Sequence, residues 1–147
     1  MRQVYVGADH GGFRLKDVIV KELRGKGWMV SDFTGKYDPE DDYPDVGFKV
    51  GEKVARENAF GILICRSSAG ICMVANKVKG IRAASCLTEV QARLTREHND
   101  ANILCLSGDL VSEELNLKIV DVFLETLFSS EERHIRRVQK ISQYETT

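Results

Sequence analysis

Short apolar runs rich in β-branched residues alternate with longer segments of helical period along most of this chain, the pattern of repeated βα units wound into a parallel sheet. Five strands are expected, at Gln3 to Ala8, Trp28 to Phe33, Phe60 to Cys65, Gly80 to Cys86 and Ile103 to Leu106. The third is apolar throughout, as a central strand buried on both faces should be. A first helix carries Phe13, Leu15, Val18, Ile19 and Leu23 near 3.6-residue spacing and closes at Gly25 and Gly27. The polar, acidic stretch from Thr34 to Asp45 holds both prolines, Pro39 and Pro44, and reads as a surface excursion ending in the first turn of a second helix. Thr88, with Gln91 three residues on, reads as a helix N-cap, and a long helix follows Ser112 with Glu113 and Glu114 in its first turn. From Glu131 onward a mixed-charge helix forms the tail.

Composition narrows the class. A chain of 147 residues, 43% hydrophobic and 29% charged, is expected to form one globular domain over 1–147. Its 21 basic against 22 acidic residues leave a formal net charge of −1, which argues against a whole-surface grip on nucleic acid or anionic membrane. Any anion site must therefore be local. The four cysteines, Cys65, Cys72, Cys86 and Cys105, lack CxxC spacing and a companion His cluster, so neither a structural metal site nor a disulfide framework is expected. With no long apolar segment near Met1 and no run of spanning length, a cytoplasmic protein is expected.

In an open parallel sheet, ligands bind beyond the carboxyl ends of the strands. The residues there are polar: Asp9 and His10 after the first strand, Cys65, Ser67 and Ser68 after the third, Ser107 and Asp109 after the fifth. Cys65 is either a small buried hydrophobe or, at the mouth of a following helix, a usable base, whereas Cys72, Cys86 and Cys105 read as core. Asp9-His10 is either a capped turn or part of a site. His98 and Asn99 end the helix before the fifth strand, and spacing leaves open whether they turn towards this rim or away. Arg133 and Arg137 are i,i+4 neighbours that can converge on one phosphate, or form a solvated face with Glu131 and Glu132. Tyr43 either lines the site or anchors its loop.

Taken together and in order, Asp9-His10-Gly11-Gly12-Phe13 with Leu15-Lys16, Asp42-Tyr43-Pro44, Gly61 through Cys65, Ala75-Asn76-Lys77, Gly80-Ile81-Arg82-Ala83, His98 through Asn102 and Glu132 through Arg137 resemble the type B ribose-5-phosphate isomerases. That family also takes in galactose-6-phosphate and allose-6-phosphate isomerases. The resemblance implies a Rossmann-like three-layer α/β/α sandwich and a homodimer with active sites shared between subunits, tetramer formation remaining open. It also implies interconversion of an aldose and a ketose phosphate through a cis-enediolate, with no metal or other cofactor. By resemblance Cys65 is the base, His98 assists ring opening with Asp9 in contact with the sugar, Asn99 and the turn after Cys65, with Ser68 and Gly70, stabilise the enediolate, Ser67 and Tyr43 line the pocket, and His10, Arg133 and Arg137 hold the phosphate.

Two departures from the family pattern are local. Its usual turn, Cys-Gly-Thr/Ser-Gly-x-Gly, here reads Cys65-Arg66-Ser67-Ser68-Ala69-Gly70, and Asp109 stands where many members carry an arginine near the phosphate. If the two lost glycines had φ > 0, Arg66 and Ser68 inherit strain or the turn is redrawn. Arg66 is expected to supply the cation that Asp109 removes. The leading expectation is isomerisation of ribose 5-phosphate and ribulose 5-phosphate. Beside it stand an isomerase of allose 6-phosphate or galactose 6-phosphate, a non-catalytic sugar-phosphate-binding homologue and, weakest, a nucleic-acid module built on the basic tail.

Overall fold

Each expected strand-to-helix step is present in the computed structural model, which describes residues 2–146. In chain order the elements are β1 (Gln3–Ala8), α1 (Phe13–Gly25), β2 (Met29–Asp32), α2 (Tyr43–Glu57), β3 (Phe60–Cys65), α3 (Ala69–Ala75), β4 (Ala83–Ser85), α4 (Glu89–Asn99), β5 (Ile103–Ser107), α5 (Glu113–Glu125) and α6 (Glu132–Tyr144). The five strands form one sheet in the order β2-β1-β3-β5-β4, every pair parallel. Strand alternation splits the core in two. Val4, Val6, Ile62, Ile64, Leu104 and Leu106 face the layer containing α1, α4 and α5, and Tyr5, Leu63, Cys65, Ile103 and Cys105 face α2 and α3. This is the Rossmann-like three-layer sandwich, with α6 packed on α4.

Two strands are shorter than their apolar patterns suggest, for local reasons. The Trp28 amide closes the end of α1 by donating to the Leu23 carbonyl, so β2 starts one residue later. The Arg82 amide donates to the Asn102 side chain at 2.8 Å instead of joining the ladder, and β4 begins only at Ala83. The expected caps are both present: the Gln91 amide donates to the Thr88 hydroxyl at 3.1 Å and the Leu115 amide to that of Ser112 at 3.2 Å. Cys86 and Cys105 are core thiols, and burial pushes that of Cys86 up to about 12. Cys72 is partly buried, packed against the core on the α2 and α3 face, with its thiol donating to the Ala83 carbonyl.

The chain order creates the crevice. β1 and β3 are neighbours, but the chain leaves β1 towards β2 and leaves β3 towards the opposite edge, with α1 and α3 on opposite faces. The turns after β1 and β3 therefore diverge and open a cleft between them.

One feature of this rim has no precursor in the hydrophobic pattern. Lys16 on α1 is fully buried, its ammonium donating to Asp32 Oδ2 at 2.8 Å, to Asp17 Oδ1 at 2.7 Å and to the Thr34 carbonyl, with the Phe13 ring 4.1 Å away. Thr34 in turn bonds both the amide and the carbonyl of Ala8. Lys16 thus ties the end of β2 to the end of β1. Substituting Lys16 by Met leaves part-buried Asp32 without its cation and is expected to cost about 3 kcal/mol in urea unfolding. A loss below about 0.5 kcal/mol, the usual range for surface changes, would contradict this role.

Candidate active site

The divergent turns place Asp9 and His10 opposite Cys65. Asp9 extends the ladder through its amide to the Ile64 carbonyl and closes its own turn by accepting from the Gly12 amide at 3.2 Å. Only 6% of it is exposed, and that burial raises its pKa against the pull of His10 and the Gly12 amide. One oxygen of Asp41 receives both the His10 amide at 2.9 Å and the His10 ring nitrogen Nδ1 at 2.8 Å. This hydrogen bond raises the imidazole pKa, so His10 is biased towards the cation.

Cys65 ends β3, and its carbonyl accepts from the Gly108 amide at 2.9 Å. The Arg66 carbonyl accepts from the Asp109 amide at 3.1 Å and from the Ser107 hydroxyl, which stitches the β3 turn to the end of β5. A cavity of about 380 Å³ opens here, lined by Asp9, His10, Tyr43, Cys65, Arg66, Ser67 and Gly70. The Tyr43 ring closes one wall by lying against Gly70, where a Cβ would come within 2.8 Å of it. A larger groove of about 710 Å³ lies beneath α6, but its walls are mainly apolar and it lacks a cysteine, histidine or aspartate, whereas the smaller cavity has all three.

Two expectations about the turn need correction. Ser68 is not among the residues lining the cavity: its side chain is fully buried and hydrogen-bonds Ser85. It alone of the two replaced glycine positions has positive φ, at 67°, so Arg66 turns without strain while Ser68 is held left-handed. Arg66 is also not an independent cation, because its Nη1 stands 3.4 Å from Asp109 Oδ2 across the cavity mouth. The residue expected to repel a phosphate instead pairs with the residue expected to bind it.

His98, Asn99, Arg133 and Arg137 are elsewhere. α4 ends with Asp100 in the left-handed region, and buried Arg96 binds Asp100 Oδ1, the Ala101 carbonyl and the Thr126 carbonyl. Its guanidinium lies 4.8 Å from the Phe60 ring, at the start of β3. Cys65 is at the other end of that strand, about 16 Å away at 3.3 Å per residue. The helix therefore turns away from the Cys65 rim. The His98 ring stacks 4.5 Å from His134 of α6. His134 accepts from Arg133 Nε at 3.4 Å and bonds Ser129 at 2.6 Å, and burial lowers its pKa, in keeping with a neutral imidazole. Arg133 also pairs with Glu131 at 2.9 Å, and Arg137 is exposed one turn further along the same helix.

Of the residues that organise this site, Asp41 gave no sequence signal, being one of several acids in the Thr34 to Asp45 stretch. Lys16 was visible only as part of a motif. Asp109 was visible as a departure, but its pairing with Arg66 needed the turn geometry.

A family model described as Ribose/Galactose Isomerase matches residues 4–141. The chain belongs to the ribose/galactose isomerase family. Among relatives in this family, the probable ribose-5-phosphate isomerase B of Mycoplasma genitalium is 45% identical over 97% of this chain and 95% of its own length. The crystal structure of the enzyme from that organism with bound ribulose-5-phosphate superposes with a TM-score of 0.95 at 44% identity, covering 98% of this chain and 96% of that one. The Clostridium thermocellum ribose-5-phosphate isomerase B gives a TM-score of 0.94 at 45% identity, with 98% and 97% covered. Among the described residues of this family member, no helix is long and apolar enough to cross a membrane.

The Ser68 geometry carries a stability prediction. Ser85→Ala leaves the buried Ser68 hydroxyl without its partner and is expected to cost about 1–2 kcal/mol. Ser68→Gly loses the same bond but relieves the left-handed backbone, and should cost less than Ser85→Ala in urea unfolding. The reverse order would contradict this geometry.

Proposed function

We propose that this chain interconverts ribose 5-phosphate and ribulose 5-phosphate as an aldose–ketose isomerase. The observation that carries this reading is the single cavity gathering Cys65, Asp9, Ser67 and His10 at the carboxyl edge of the sheet. Cys65 takes the proton from C2 as the C1–C2 double bond forms and the carbonyl electrons move onto O1, giving the cis-enediolate. The C2 hydroxyl proton passes to O1 within the enediol, and the same thiol returns its proton to C1 as the C2 carbonyl forms. Asp9, at the same wall, contacts the sugar, and Ser67 lines the reacting end. The first amides of α3, that of Gly70 among them, have no intrahelical partner and supply preorganised donors for the developing oxyanion. All of these steps use protein groups alone.

His10 begins the phosphate site, and the rest is argued to come from a second copy. His98, Asn99, Arg133 and Arg137 stand at the opposite end of their own chain from Cys65, whereas a two-fold pairing would bring that end of one subunit to the cavity of the other, twice over. The apolar residues that α6 leaves exposed, Ile135 and Ile141, are a surface such a pairing would cover. In this reading the partner's His98 assists ring opening, the partner's Asn99 adds an oxyanion donor, and the partner's Arg133 and Arg137 complete the phosphate grip. In this reading the protein is a cytoplasmic homodimer taking a small sugar phosphate.

Replacing Cys65 by Ala is expected to lower kcat for ribose 5-phosphate by roughly 10²–10⁴-fold, the range for loss of a positioned base, with binding retained. Turnover within tenfold of wild type would rule Cys65 out as the base. The Arg66–Asp109 pair predicts opposite effects on KM: Arg66→Ala raises it and Asp109→Ala, which frees the guanidinium, lowers it, each by about two- to fivefold as for exposed pairs. KM changes of the same sign would contradict the pairing.

A further inference from the structure

We propose that Asp41 is a positioning residue for the phosphate-binding role of His10, and that the acidic loop between β2 and α2 is a fixed strap whose purpose is to deliver it. The inference rests on the assignment of His10 to the phosphate. Asp41 lies 31 positions from His10 in sequence, yet one of its oxygens accepts from both the His10 amide and the His10 ring. The two contacts fix the backbone of the β1 turn and the orientation of the imidazole at once. With Nδ1 committed to Asp41, Nε2 is the ring nitrogen left to donate to a ligand.

The strap is held at several points. Lys16 binds the Thr34 carbonyl and Asp32, Thr34 bonds both the amide and carbonyl of Ala8, the Tyr37 ring meets Phe13 edge-on at 5.5 Å, and the Asp41 amide donates to the Asp38 carbonyl. Asp38, Glu40, Asp41 and Asp42 would otherwise be an odd set to hold beside an anion site, since a mobile acidic loop there only repels phosphate. Pinned as it is, one of these charges is spent on the imidazole. The groups facing that ring are Asp41 and Asp9, which favour its cation, and Arg66, which opposes it, with Cys65 and Tyr43 across the cavity.

The sign follows. A phosphate dianion is held by the His10 cation, so its binding weakens as pH rises and the imidazole loses its proton. Asp41→Asn removes the main group favouring the cation, and this weakening should begin at lower pH. At a pH where the wild-type imidazole is still protonated and that of the variant is not, KM for ribose 5-phosphate should rise on the order of tenfold, as for loss of one charge-assisted hydrogen bond, with kcat nearly unchanged.

The His10 titration in the full-length protein, followed by NMR with and without inorganic phosphate and assigned by its absence in His10→Gln, tests the role without relying on turnover. Asp41→Asn should move that titration to lower pH and weaken phosphate binding, while Glu40→Gln, the same charge change one residue away, should do neither. If Asp41→Asn leaves both unchanged in a folded protein, or Glu40→Gln has the same effect, the proposal is overturned. A shifted titration and weakened phosphate binding in a protein that fails to turn over ribose 5-phosphate would uphold Asp41 and reject the isomerase reading.

Discussion

Everything at this site depends on adjacent parallel strands whose chains then part. In a parallel sheet each strand delivers its next residue to the same edge, so Asp9, Cys65 and Gly108 arrive together although up to 99 positions separate them in sequence. Because the β1 and β3 turns then leave towards opposite faces, the edge opens into a cleft and is not sealed by packing. The apolar cores on the two faces hold the strands, and the turns stitched across them, from Gly108 to Cys65 and from Asp109 to Arg66, keep the cleft's floor fixed.

The same geometry explains how a nearly neutral chain can bind an anion. Its cations are not pooled on one surface. His10 and Arg66 stand at the carboxyl edge, each beside an aspartate, while Arg133 and Arg137 stand beyond the amino edge on α6. Pairing with Asp41 strengthens the charge on His10, whereas pairing with Asp109 dilutes that on Arg66, because an imidazole can lose its proton and a guanidinium cannot. A carboxylate beside each therefore has opposite consequences for a phosphate. In the two-chain reading proposed above, a complete site draws on both edges.

The layer order, the strands and the cleft-lining residues were legible because they follow from periodicity: alternating burial in β1, β3 and β5, the Thr88 and Ser112 caps, and polar residues just past each strand. What escaped were properties of side chains meeting across long separations. Lys16 sits among the apolar positions of α1 but is buried for its charge, and Asp41 cannot be told from neighbouring acids until the loop is folded. Ser68 reads as part of the substrate-binding turn, yet its side chain is buried against Ser85. The direction of the α4 end depended on Arg96, which locks Asp100 and the chain beyond it away from the cleft.

The central claim is that each active site draws on two chains, and mixing subunits tests it most directly. A Cys65→Ala chain and an Arg133→Ala/Arg137→Ala chain, each inactive alone, are unfolded together and refolded. If the sites are shared, half the dimers are mixed and each mixed dimer carries one fully intact site, so about a quarter of wild-type turnover returns. If each chain completes its own site, the mixture stays as inactive as its components, and the account is wrong.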